Sequence, residues 1–194
     1  MTRKIPLFPL NTVLFPNSAL PLQIFETRYR EMLRDCMNTD RKFGVVLIKS
    51  GTEVGGGTTH YEFGTVAHIL ELGDVKRGSL PIIVKGENRF RIISTELRTK
   101  SYLMGEIELI ADEIGVESIT DNIEVAYQLS EDYVSMSLAL EGLYQAKIEL
   151  PEDISQLCYY AGSITTKASK KDHQRLLEAN DLSNRLRITT ALLE

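Results

Sequence analysis

The chain has no tryptophan, two cysteines and three histidines, and no apolar run near the roughly 18 residues that a transmembrane helix needs. Each scarcity excludes a class. Cys36 and Cys158 stand far apart with no CxxC pair, so neither a disulfide framework nor a zinc ribbon is available. Both read as reduced, half-buried helix residues of a cytosolic protein. His60, His68 and His173 are isolated from one another and from the cysteines, and no HExxH occurs, which removes the common zinc-hydrolase pattern. His68 alternates with Val66 and Leu70 and reads as a core or rim histidine. No GxxxxGK[ST] phosphate loop is present. Gly55, Gly56 and Gly57 stand between strand-like segments, contain no lysine, and read as a flexible loop. Lys100 and Ser101 are adjacent, which is no activating geometry for a nucleophile, and Gly162-Ser163 lacks the GxSxG elbow. The carboxylates lie at solvent-type spacings, from which no acid–base pair follows. No catalytic, cofactor or metal residue is assigned, and the expectation is a protein that is not an enzyme. Arg3 and Lys4 ahead of apolar residues give a faint signal-peptide pattern, but Pro6, Pro9 and Pro16 break its helical core.

What is present is an apolar opening spaced by proline. Residues 5–29, IPLFPLNTVLFPNSALPLQIFETRY, hold four of the six prolines: Pro6, Pro9, Pro16 and Pro21. Proline lacks an N–H and locks φ, so it suits edge strands and turns rather than a central strand or a helix interior. Leu7, Phe8, Leu10, Val13, Leu14, Phe15, Leu20, Leu22, Ile24 and Phe25 are too apolar for a solvated tail. The segment is expected to be extended, irregular backbone that wraps a core and leads into a helix. In that helix Phe25, Tyr29, Met32, Leu33 and Cys36 form one stripe at i, i+4, i+7, i+8, i+11.

Beyond the helix the pattern is of short strands at residues 43–49, 61–72, 80–85, 89–96 and 102–109, with turns at Gly73-Asp74 to Gly78 and at Gly86-Glu87-Asn88. Gly64 marks a bulge or a close approach. After Ala111 the periodicity becomes helical. Ser118 to Asp121 fits a capping box before a run carrying Ile123, Ala126, Tyr127, Val134, Leu138 and Leu143. Pro151 fits a first helical position, Ser169 with Asp172 a second capping box, and Asp181 the start of a last helix. Charge changes at the same place. Residues 1–110 carry 15 basic and 12 acidic side chains, residues 111–194 carry 7 and 15. These shifts predict a barrel-like unit over 1–111 and a helical unit over 112–194. With 43% hydrophobic residues, a chain of this length can bury a substantial core.

Several of these pieces together resemble the N-terminal, substrate-binding domain of the Lon ATP-dependent protease family. They are PLFPL at residues 6–10, Phe15-Pro16, PLQIFETRY at 21–29, GVVLI at 44–48, GTVAHI at 64–69, VKGENRFRI at 84–92 and QRLLEANDLSNRL at 174–186. The resemblance implies an α+β fold: a PUA-like, partly open β-barrel with one inserted helix, followed by a helical region. In full-length relatives this unit precedes an ATPase module and a protease module, and neither is expected in this chain, which reads as a stand-alone domain.

The resemblance further implies engagement of unfolded or damaged polypeptide, for which an apolar, polar-rimmed groove is the physical requirement. Phe8, Phe15, Tyr29 and Phe90 are candidate contributors if exposed, and core residues otherwise; the groove itself is not assigned. Without the multivalency of a larger assembly, or self-association into a weak homo-oligomer, affinity is expected on the order of 10 μM to 1 mM. Two other readings stay open. Lys76, Arg77, Lys85, Arg89 and Arg91 fall on one hairpin, with Arg89 and Arg91 on a shared face, as an RNA-binding PUA-like protein would have; the acidic balance argues against it. A scaffold for one folded partner, docked on the acidic helical half, is the other. No membrane partner is expected.

Overall fold

A computed structural model describes residues 2–53, 57–97, 100–111, 120–143 and 147–194. The chain forms two compact units, Met1–Ala111 and Asp112–Glu194. In the first, β1 (Thr2–Leu10), β2 (Ala19–Ile24), α1 (Thr27–Met37), β3 (Lys42–Ser50), β4 (Thr59–Leu72), β5 (Leu80–Glu96) and β6 (Leu103–Leu109) follow in order. The strands make one mixed sheet, β2-β5-β4-β3-β1-β6, and β6 returns to pair with the second half of β5. Five strands thereby close on themselves while β2 remains at the edge. The result is an α+β fold with a partly closed sheet and α1 inserted between β2 and β3.

Strand alternation sends successive side chains to opposite faces, and both faces bury a core. Leu7, Val46, Val66, Phe90 and Ile107 fill the barrel. Phe8, Val45, Ala67 and Val84 face the other way, against Tyr29, Met32, Leu33 and Cys36 of α1. Gly64 is a close approach: a Cβ there would lie 2.4 Å from the Val45 carbonyl oxygen and 2.6 Å from Phe90 Cζ.

The opening segment differs from its expectation. Residues 2–10 are not irregular wrapping but a central stave, antiparallel to β6 over Thr2 to Leu7 and parallel to β3 over Leu7 to Leu10. The two ladders overlap at Leu7 alone, so Pro6 and Pro9 each have a paired strand on one side. A missing N–H costs no ladder bond when it faces the other side. A second difference lies at Gly86-Glu87-Asn88, where β5 runs through without a turn. Gly86 is there because the backbone of the opening segment crosses it: a Cβ would sit 2.1 Å from the Phe15 carbonyl oxygen. One extra residue of β5 is absorbed as a bulge against β4, where pairing shifts between Thr65–Arg89 and Ala67–Gly86. The real hairpin tip is Arg77-Gly78, both at positive φ (50° and 79°), as a two-residue turn matched to strand twist requires.

The second unit contains α2 (Thr120–Leu140), α3 (Ile154–Ile164), α4 (Lys170–Glu178) and α5 (Leu182–Leu193). The capping box expected at Ser118 to Asp121 lies outside the described residues. Pro151 does not open α3; Asp153 is the N-cap, its carboxylate accepting from the Gln156 N–H at 2.8 Å, a role proline cannot fill. Ser169 and Asp172 do form the cap of α4, and Asp181 caps α5 through the Asn184 N–H at 2.8 Å. Leu157, Cys158, Ala161, Leu176, Leu177 and Leu186 supply the buried apolar positions.

Candidate functional site

The four aromatic candidates are core residues. Phe8, Phe15, Tyr29 and Phe90 are all buried, Phe8 packing against Tyr29 with ring centroids 4.1 Å apart and planes tilted by 40°. Among the described residues the exposed aromatic is Phe25, 55% accessible, which was expected in the α1 stripe. It lies outside the helix, whose N-cap is Glu26. Leu20, Leu22 and Ile24 alternate toward the sheet, so Phe25 falls on the opposite side, where the two-residue period of β2 ends and the helical period begins.

Phe25 stands at the mouth of a cleft of about 320 Å³ built largely from the proline-spaced opening. Phe8, Leu10 and Tyr29 line it from β1 and α1, and Leu20, Leu22 and Ile24 from β2. Its polar members are Glu26, Glu53, Thr12 and Gln23. Arg28 fastens this edge: it pairs with Glu26 at 2.9 Å, donates to the Glu53 carbonyl oxygen at 3.3 Å, and lies 4.5 Å over the Tyr29 ring. Glu53 also accepts from the Asn11 N–H. Burial pushes the Tyr29 phenol upward, so it stays protonated at neutral pH. The cleft therefore offers apolar walls, acceptor carboxylates and no nucleophile activated by a base.

The β2 edge adjoining the cleft is only partly open to strand pairing. The Gly86 N–H donates to Ser18 O at 2.9 Å, which sets the phase of the β2–β5 ladder at Ser18, Leu20, Leu22 and Ile24. The backbone groups of Ala19, Pro21 and Gln23 then point outward, and Pro21 has no N–H to offer. Proline at the centre of a free edge guards against indiscriminate sheet extension, leaving recognition to side-chain contacts.

The basic hairpin does not assemble as one face. Lys76 and Arg77 sit at its tip, Arg89 is 2% exposed, and Arg91 is exposed but 3.4 Å from Glu108. Pairing with β4 is regular from Arg89 to Arg91, so the two lie on one face of β5 as expected, but only Arg91 reaches solvent. His68 is a rim residue 3.3 Å from Glu87, which also binds Lys42 at 2.6 Å. Lys100 and Ser101 are both committed to α1, donating to Asp35 at 2.8 Å and to Glu31 at 2.7 Å. Asp35 also accepts from the Tyr102 hydroxyl at 2.7 Å, and these donors hold its carboxyl below the usual range. Cys36 and Cys158 are free and buried; burial pushes the Cys36 thiol up to about 12 and raises Cys158 too. Among the described residues no group of His, Cys, Asp and Glu could hold a metal ion, and no helix is long and apolar enough to cross a membrane. One buried residue had no signal in the sequence: Arg185 of α5, whose guanidinium donates to Ser155 Oγ and to the Ala179 carbonyl oxygen, each at 2.9 Å, and lies 4.8 Å over the Tyr159 ring.

A partly closed barrel with an apolar edge cleft, in a chain that also carries a helical unit, is the build of a binding module. The family is a specific one: the chain belongs to the ATP-dependent protease La (LON) substrate-binding domain, whose family model matches residues 4–194. It is 26% identical over 198 residues to Lon protease 2 of Myxococcus xanthus, covering 97% of this chain and 23% of that protein. It is 34% identical over 111 residues to the Lon protease of Parabacteroides distasonis, covering 56% of this chain. The chain thus spans about a quarter of the length of Lon protease 2, and its match covers 13% of the Parabacteroides protein. Among solved structures, a Lon N-terminal domain protein from Xanthomonas campestris superposes with a TM-score of 0.70 at 25% identity, covering 95% of each chain. The N-terminal domain of a Mycobacterium avium complex Lon protease shares the fold, with a TM-score of 0.71 at 17% identity over 98% of each chain.

Proposed function

We propose that this domain binds extended apolar segments of unfolded or damaged polypeptide in the cleft beside β2 and performs no chemistry on them. The observation that carries the reading is Phe25, an exposed aromatic in the lining of an apolar cleft whose other walls are the buried Phe8, Leu10, Ile24 and Tyr29 and the half-buried Leu20 and Leu22. Membership of a substrate-binding domain family supports it. The cleft is at the small end of ligand sites, which run from roughly 300 to 1,000 Å³, so it admits one or two apolar side chains rather than a folded surface. Glu26, Glu53 and Gln23 can accept or donate to the backbone of the bound segment, as polar rims do at interfaces.

One shallow site yields weak binding, on the order of 10 μM to 1 mM. Covering the exposed part of Phe25 is worth roughly 1 kcal/mol. Titration of a labelled, reduced and unfolded model protein, followed by fluorescence anisotropy, should therefore saturate in that range, with Phe25→Ser weakening it about fivefold. No binding up to about 1 mM, or binding indifferent to Phe25→Ser, would overturn the reading.

A further inference from the structure

Within the helical unit, α2 is apolar on two sides. Ala126 and Ser130 are buried, while Asp132, Met136 and Leu140 follow one i, i+4 ridge on exposed positions. Met136 is 61% and Leu140 91% accessible. This is not a fraying end. Gly142 has φ 80°, its N–H donates to Ala139 O at 3.1 Å, and the Leu143 N–H donates to Leu138 O at 2.9 Å, the paired bonds of a Schellman cap. The cap holds exposed apolar side chains in a fixed geometry. The helix contains Glu124, Glu131 and Asp132 but no lysine or arginine.

The opposite character lies on α4, α5 and the turn before α4, around a cleft of about 400 Å³. Ile188, Ala191 and Leu192 give it apolar lining, and Lys167, Arg175 and Arg187 surround them. Asp172 is the one acid in that lining and is 3.4 Å from Arg175; Arg187 donates to Asn184 Oδ1 at 2.9 Å.

We propose that these surfaces fit each other between copies: the Asp132, Met136, Leu140 ridge of one chain docks in the cationic cleft of a second copy. Met136 and Leu140 enter against Ile188 and Leu192, and Glu131 and Asp132 face Arg175 and Arg187. The ridge spans about 12 Å, a length suited to a cleft between two short helices. Pairing α2 with α2 would set acid against acid, so the charge pattern selects the head-to-tail arrangement. Such a contact is heterologous and closes into a ring or propagates. Its small area makes it weak, on the order of 10–100 μM. It does not depend on the β2 cleft, although association would gather several such clefts and raise avidity for one polypeptide.

Sedimentation velocity of the 194-residue chain from about 5 to 500 μM tests this. The average mass should rise with concentration and fall when salt is raised to about 0.5 M. A ridge variant, Glu131→Lys with Asp132→Lys, and a cleft variant, Arg175→Glu with Arg187→Glu, should each remain monomeric with unchanged circular dichroism. Mixed together, they should associate again, because each supplies the charge the other needs. A wild-type chain that stays monomeric at about 500 μM overturns the proposal, as does a mixture that fails to associate. Binding of a cationic amphipathic peptide by a monomeric wild type, abolished by the ridge variant, would likewise overturn it in favour of an external basic partner.

Discussion

In the barrel unit Phe90 is packed against positions that tolerate no Cβ, and Leu7, Val66 and Ile107 are fully enclosed; in the helical unit α2 leaves Met136 and Leu140 in water. The barrel closes its sheet and so can bury side chains on both faces. A helix of 21 residues presents more circumference than three short neighbours cover. Among the described residues the barrel's exposed large apolar side chains are scattered, Leu70, Leu72, Val75, Ile93, Leu97 and Leu109 on or between β4, β5 and β6, and Phe25 is the one that lines the apolar cleft. The helical unit's, Val125, Met136, Leu140 and Leu143, all lie on α2 or just past its end. Charge separates the same way, with the barrel slightly basic and the helical half acidic. The lesson is that exposure alone does not mark a site: an exposed apolar side chain is informative where it adjoins a cleft, as Phe25 does, or repeats along one helix, as on α2.

Each unit contains one buried free cysteine, Cys36 in the barrel and Cys158 in the helical unit, so thiol labelling can follow their opening separately. The largest effect is expected from Gly86→Ala. The new Cβ meets backbone oxygen, which cannot move without shifting the opening segment, and the loss should be about 3 kcal/mol or more. Labelling of Cys36 should accelerate over a hundredfold while Cys158 changes little. Next comes Arg185→Ala, which leaves Ser155 Oγ and the Ala179 carbonyl without their buried donor and empties the space against Tyr159. A cost of about 2–4 kcal/mol is expected, and here Cys158 should accelerate instead.

The smallest effect concerns the clip between α1 and the chain ahead of β6. Asp35 has its folded-state pKa lowered by the Lys100 and Tyr102 hydrogen bonds, so its contribution is present above the unfolded-state value of about 3.9 and is lost as pH falls through the folded one. Asp35→Asn should lower Tm by about 1–3 °C at pH 7. The gap from wild type should narrow below about pH 4. A gap independent of pH would show that the carboxylate charge is not what holds the clip.

Much of this was legible in the residues. The strand-then-helix order, the charge break near Ala111, the close approach at Gly64 and the caps at Ser169 and Asp181 follow from spacing and local chemistry. The opening segment was harder. Its prolines signalled an edge, yet β1 is central because its two ladders are offset, a property of the partners β3 and β6 and invisible in β1 itself. Gly86 looked like a turn because the chain that crosses it is about 70 residues away. Phe25 was readable in principle, since Leu20, Leu22 and Ile24 already alternate and leave it on the other face. Arg185 was not, because an arginine beside Leu186 on a helix carries no mark of burial until α3 and Ala179 supply its acceptors.

The central claim is that polypeptide is held at the β2 cleft and not on the helical ridge. Photo-crosslinking decides it most directly: a benzophenone side chain placed at Phe25 in one sample and at Met136 in another, each irradiated with an unfolded model protein. Crosslinks are expected from position 25, competed away by unlabelled unfolded protein, and few from position 136. Equal yields from both positions, or a dominant yield from 136, would contradict it.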